Sequence, residues 1–228
     1  MPDTRVISIG ALAANPLWNE RTPVRTGHAT TTLIRSDRAV IIVDPGLPEQ
    51  ALEARLAERA GIRAEDVTHV FLTSFQTDTH RGIQAFETAT WLISRAEREG
   101  AGIPLINHLR RAAEADDAEL KDHLQREVAI LQRCKEAPDK LARAVDIFPL
   151  HGVTPGLTGL LVTEDDQTTL IAGDAVATIE HLNKGMVLTD ATDVKAARES
   201  LAEALEVADL IICGRDNVTL NPGGSGAF

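Results

Sequence analysis

The stretch His69–Gly82, HVFLTSFQTDTHRG, places a carboxylate, Asp78, and an imidazole, His80, in one polar cluster behind a strand-like run, His69-Val70-Phe71-Leu72-Thr73, and ahead of an expected helix. Carboxylates and imidazoles bind divalent metals and exchange protons near neutral pH, so this is where a catalytic loop would sit. One of each is a thin set for a metal centre, which takes three or four protein ligands. Other reactive types fall at the ends of other β-rich runs: Asp44 in IIVDPG, His151 in FPLHGVTPG, Asp174 in LIAGDAV, and Cys213, Arg215 and Asp216 in LIICGRDN. A thiol beside a guanidinium can ionise more easily, which makes Cys213 a conceivable nucleophile, although no histidine partner is recognisable in sequence. Asp216 is a conceivable acid or base at the same place.

These residues need a scaffold, and the hydrophobic pattern supplies one. TRVISIG and ATTTLIRSDRAVIIVDPG read as strands, the latter folded into a hairpin at Ser36-Asp37-Arg38. The nearly unbroken apolar run IIVD predicts a buried strand that ends in a loop at Asp44-Pro45-Gly46. PEQALEARLAERAG opens on Pro48, repeats apolar residues at Leu52, Leu56 and Ala60, and stops at Gly61, the signature of a helix. A short strand, TWLIS, follows at 90–94. Residues 95–142 are charged and Ala-rich, and Leu120, Leu124, Val128 and Leu131 recur at helical spacing, so this segment is expected to be a helical insert with His123 on its solvated face. The second half repeats the pattern: strands at VDIFPL, GLLVTE and TTLIAGD, a helix at DVKAARESLAEALEVA, and a last strand at DLIIC. Two successive β-rich halves, each with helices, predict an α+β fold of two packed sheets with helices outside, its loops converging at one edge.

At 228 residues with 43% hydrophobic content the chain can bury a full core, and no linker divides it, so a single domain over 1–228 is expected, with a flexible tail at about 218–228. A net charge of −11 argues against general affinity for nucleic acid or anionic membrane. No apolar run approaches the roughly 18 residues that span a bilayer, and the first residues, MPDTRVISIG, lack the build of a signal peptide; a cytoplasmic location is expected. Two cysteines far apart, Cys134 and Cys213, suit a reducing compartment and read as ordinary buried thiols.

The order IIVDPG, VTHVFLTSFQTDTHRG, FPLHGVTPG, LIAGDAV and LIICGRDN resembles the metallo-β-lactamase superfamily along nearly the whole chain. The resemblance implies an αββα sandwich of two mixed sheets flanked by helices. It also implies a dinuclear zinc site, built from a Thr-His-x-His-x-Asp-His loop, a Gly-His-Thr-Pro-Gly loop, a Gly-Asp turn and a terminal Gly-His. Laid on this chain, the ligand positions of the first loop are Ser74, Gln76, Asp78 and Thr79; Val153 stands in the second loop, Asp174 at the turn, and Arg215 at the last position. Of the seven, only Asp78 and Asp174 keep a metal-binding type. Ser and Gln are poor zinc ligands, Val is none, and Arg does not deprotonate.

Two arrangements could fill such a site. Arg215 can bridge Asp78 or Asp174 as a structural ion pair, which relieves the repulsion between two carboxylates. Alternatively, loop shifts could bring His80 and His151 to Asp78 and Asp174, a set able to hold one zinc, iron or manganese ion. Asp44 matches an aspartate that lies beneath the ligands in the family; with no histidines to orient, it is expected to brace its loop. His28, His69, His108 and His181 lack a paired carboxylate motif. The expected function is a non-hydrolytic pseudoenzyme without a cofactor, its cleft kept for binding a small molecule or protein, or for assembly, with Arg215 free to meet an anionic ligand. The alternative is a hydrolase of small esters, thioesters or lactones with a single-metal site. A homodimer through the helical insert is also conceivable.

Overall fold

The computed structural model describes residues 1–164 and 166–223. Two six-stranded mixed sheets pack face to face. The first runs β1 (Asp3–Ser8), β2 (Thr31–Ser36), β3 (Ala39–Val43), β4 (His69–Leu72), β5 (Thr90–Ile93) and β6 (Lys135–Glu136); the second runs, edge to edge, β12 (Val218–Leu220), β11 (Leu210–Cys213), β10 (Thr168–Gly173), β9 (Thr158–Thr163), β8 (Val145–Pro149) and β7 (Lys140–Ala142). β3 to β6 are mutually parallel, as are β10 and β11, and the remaining pairs are antiparallel. The expected αββα sandwich is therefore what forms.

The side-chain period of two along a strand explains the unbroken apolar runs. Ile41 and Val43 face inward against the second sheet's Leu160, Val162, Ile171 and Ile212, while Ile42 between them faces outward toward helix α1 (Glu49–Ala60) through Leu52 and Leu56. The second sheet behaves alike: Ile171 points inward, and Leu170 and Ala172 point outward onto Ala197, Leu201 and Ala204 of helix α5 (Val194–Val207). With both faces covered, each fully buried Ile or Leu contributes about 1.5–3 kcal/mol.

The insert holds two helices. α2 (Arg95–Glu114) and α3 (Ala118–Arg133) form a hairpin, and the segment then ends in β6 and β7, which join opposite sheets, so the chain crosses between halves inside the 95–142 stretch. Leu124 and Leu131 are buried as their spacing predicted, but Leu120 is exposed, in the first turn of α3. Two further elements carry weak sequence signals: helix α4 (Ile179–Lys184), a six-residue turn capped by Thr178 and Gly185, and β12, which places 218–220 in the sheet rather than in a loose tail. Residues 224–228 of the expected tail lie outside the described residues. Among the described residues no helix is long and apolar enough to cross a membrane.

Candidate functional site

The loops after β3, β4, β8, β10 and β11 meet at one edge of the sandwich, as the converging-loop reading required. Their closest approach is made by glycines. Gly173 has φ +53°, and a Cβ there would lie 2.6 Å from Thr73 Oγ1; a Cβ on Gly214 would lie 2.7 Å from Asp174 Oδ1. Because β10 and β11 are parallel neighbours with Gly173 opposite Cys213, these two glycines let the turns carrying Asp174 and Arg215 come into contact.

Arg215 occupies the centre. Its Nε donates to Asp174 Oδ1 and its Nη2 to Asp174 Oδ2, both at 2.7 Å, a two-pronged bridge. Nη1 donates to Asp78 Oδ2, and Nη2 also reaches Asp78 Oδ1 and Gln76 Oε1, each at 3.0 Å. The guanidinium therefore bridges both carboxylates rather than one. Its backbone is fixed as well, Arg215 N donating to Ala177 O at 2.8 Å. Burial by itself disfavours the charged guanidinium, but the charge of Asp174 and the bonds to Asp174 and Asp78 outweigh it and hold the pKa above its ordinary range. The side chains of Arg215 and Asp174 are 3% exposed, that of Asp78 30%.

Beneath this network, Asp44 sits in the left-handed region at φ +49°. Its Oδ1 accepts from Thr73 N at 2.9 Å and its Oδ2 from Thr73 Oγ1 at 2.6 Å, tying the end of β3 to the end of β4. Desolvation, helped by the charge of Asp174, raises its pKa to about 7 against the lowering effect of the two Thr73 bonds and of Arg215.

The other expected site residues are spread between bracing and distance. Thr79 Oγ1 donates to Gln76 O at 2.7 Å and closes the 74–79 loop on itself. Ser74 is buried, its hydroxyl without a hydrogen-bond partner among the described residues. Val153 belongs to the apolar cluster under α5 and faces the cleft. His80 is buried away from the carboxylate pair: its ring stacks 4.6 Å from Phe75, and Nε2 lies 3.2 Å from Glu127 Oε2 of α3, an electrostatic contact rather than an aligned hydrogen bond. His151 is exposed, and Ser200 Oγ holds its carbonyl at 2.7 Å. The structure thus does not bring His80 and His151 to Asp78 and Asp174, and no group of three or more His, Cys, Asp or Glu side chains converges as a metal set among the described residues. Asp216 is spent on the backbone, accepting from Ile179 N at 3.2 Å and Asn217 N at 2.8 Å. Cys213 and Cys134 are free and buried, and desolvation pushes each thiol up to about 12, the opposite of an activated nucleophile.

Sequence reasoning missed two contributors. Glu97, 1% exposed, accepts from Phe75 N at 2.8 Å through one oxygen and from Thr154 Oγ1 at 2.6 Å and Gly156 N at 3.0 Å through the other, joining the 74–79 loop to the 152–156 loop. Ser94-x-x-Glu97 carries the signature of a helix N-terminus, and half of that cap forms, Ser94 Oγ accepting from Glu97 N at 3.1 Å; the carboxylate leaves the helix instead of closing the box. The second is the segment between β1 and β2. Pinned by Arg25 Nη1 donating to Leu12 O at 3.0 Å, it covers the edge and leaves a cavity of about 360 Å³ whose floor is Gln76, Asp78, Asp174 and Arg215 and whose walls include Leu12, Val153 and Leu188. A neighbouring cavity of about 300 Å³ shares Leu12 and Arg215 and is lined by Trp18, Arg25, Glu180 and Asp216.

Comparison with known proteins agrees with the fold. The family model described as the metallo-beta-lactamase superfamily matches residues 24–214. The chain belongs to that superfamily. The matched span closes one residue before Arg215. Among solved structures, the fold is similar to a metallo-beta-lactamase candidate from Thermotoga maritima (17% identity, 96% of this chain and 99% of that one, TM-score 0.70) and to a probable metal-dependent hydrolase from Staphylococcus aureus (13%, 98% and 94%, 0.67). It is also similar to AidC, a dizinc quorum-quenching lactonase (22%, 78% and 67%, 0.60). At such identities the likeness is one of fold. No curated protein matches this chain.

The zinc centre that the superfamily implies does not fit these residues. A guanidinium stands between the two carboxylates that remain, and the other positions carry a hydroxyl, a carboxamide, a second hydroxyl and an isopropyl group.

Proposed function

We propose that this member of the metallo-β-lactamase superfamily works without the dinuclear zinc centre, as a non-hydrolytic protein whose cleft is kept for binding. One observation carries the reading: Arg215 lies between Asp78 and Asp174 and satisfies both with four of its hydrogen-bond contacts. A fixed monovalent cation there offsets one of the two negative charges and hydrogen-bonds both carboxylates, but it has no open coordination position at which to activate water. The alternative, a single-metal hydrolase of esters, thioesters or lactones, needs His80 and His151 at the pair, and these are engaged with Glu127 and exposed to solvent, respectively.

The test is elemental analysis of untagged protein expressed with zinc, iron and manganese supplements and then desalted. Metal at background levels is the expected result. Near-stoichiometric metal that disappears in Asp174→Asn would overturn the reading, and esters and lactones would then be the substrates to screen.

A further inference from the structure

We infer that the cleft beside Arg215 selects a small organic cation, an alkylammonium head set against Asp78 with a short apolar chain along Leu12, Val153 and Leu188. This rests on the metal-free reading of the same site. The expectation that Arg215 would meet an anion does not survive its geometry. Both prongs of the fork are spent on carboxylates, and at 3% exposure the guanidinium shows a ligand almost no surface. What a ligand reaches on the floor is Asp78, ten times more exposed than its partner by the same measure.

The charge of the lining points the same way. Asp78, Asp174 and Asp190 face one guanidinium, an excess of two negative charges, and Asp190 stands exposed at the rim. The adjoining chamber adds Glu180 and Asp216, while its only cation besides Arg215, Arg25, is paired with Glu20. Carboxylates around a partly enclosed cavity raise the local concentration of cations and repel anions. Apart from Gln76 and Thr189 the remaining walls are apolar, among them Ala13, Ala14 and Pro23, and a volume of about 360 Å³ lies at the small end of ligand pockets. A polar head on the floor and a short hydrocarbon body on the walls satisfy both halves of that lining.

The experiment is isothermal titration of the intact protein at neutral pH with n-hexylammonium, hexan-1-ol and hexanoate, after the metal content of the same sample has been measured. The three probes share a chain and differ only in the charge of the head. Hexylammonium is expected to bind at least about tenfold more tightly than hexanol, and hexanoate more weakly than either. Asp190→Asn, at an exposed position outside the ion-pair network, is expected to weaken hexylammonium by about threefold and leave hexanol unchanged, since only the charged head senses the lost carboxylate. Hexanoate binding as tightly as hexylammonium, or no binding of hexylammonium, would overturn the inference. The metal measurement separates the two readings. Metal in the sample sinks both, because an ion between Asp78 and Asp174 would displace the guanidinium, whereas a metal-free sample that prefers hexanoate sinks the cation preference alone.

Discussion

At the scale of single residues the site is an ion-pair network centred on one guanidinium. Two carboxylates as close as Asp78 and Asp174 need a positive partner, and Arg215 supplies it from the backbone of the last loop. Truncating it leaves an uncompensated buried charge, so Arg215→Ala is expected to lower stability by about 3–5 kcal/mol, which for a chain of this size lowers the melting temperature by roughly 6–20 °C. Differential scanning calorimetry reads this directly, and a melting curve that stays in place would show that the bridge is not structural. Asp44 gives a pH signature of opposite sign to that of a salt-bridged carboxylate. Its pKa is raised, to about 7, so between its unfolded value near 4 and that point the native state binds more protons than the unfolded one. Its contribution is full below about pH 4 and is lost as pH rises through 7. Asp44→Asn mimics the protonated form and tolerates a positive φ. Urea unfolding from pH 4.5 to 7.5 should therefore show wild type losing about 1 kcal/mol per pH unit relative to this variant; parallel curves would mean that Asp44 is ionised throughout.

At the scale of elements, the site depends on a carboxylate that belongs to the insert. Glu97 holds three donors from two loops. Glu97→Gln replaces an acceptor oxygen by an amide that faces N–H groups, and is expected to cost about 1–3 kcal/mol with an unchanged denaturant slope; an unaltered midpoint would show that the loops hold themselves. The elements on which this rests were largely legible in the sequence. The unbroken apolar run of IIVD, and capping signals such as Pro48 before α1 and Gly61 after it, agree with the local backbone each residue prefers. Short pieces were not legible. α4 has six residues, β12 three, and the covering segment between β1 and β2 is held by side-chain bonds among Asn15, Glu20 and Arg25 rather than by a period. Pairings across long sequence separations were half legible. Arg215 could be matched to Asp78 and Asp174 because the resemblance aligned all three, whereas nothing local announced that His80 would turn to Glu127, on a helix of the insert.

At the scale of the whole molecule, fold and metal site are separable layers. The sandwich buries its apolar faces between and outside the sheets, while at the loop edge Gly173 and Gly214 bring two turns together and the Asp44 carboxylate ties β3 to β4. If the edge still has the family's geometry, returning the ligand types should return the metal. Replacing Ser74, Gln76, Thr79, Val153 and Arg215 together by histidine removes the fixed cation, leaves Asp78 and Asp174 uncompensated, and surrounds them with neutral imidazoles, the donor set zinc prefers. The variant is expected to take up about two zinc ions per chain and to melt higher with zinc than without, since binding to the native state alone stabilises it. Arg215→His by itself should gain less, because two carboxylates and one imidazole leave a four-ligand closed site incomplete. Elemental analysis and melting with and without a chelator check both variants. A quintuple variant that folds, by circular dichroism, yet stays metal-free would mean that the 74–79 loop, closed on itself by Thr79 and drawn toward α3 by His80, has moved out of the ligand positions. The departure from the superfamily's ligand pattern would then involve the backbone and not side chains alone.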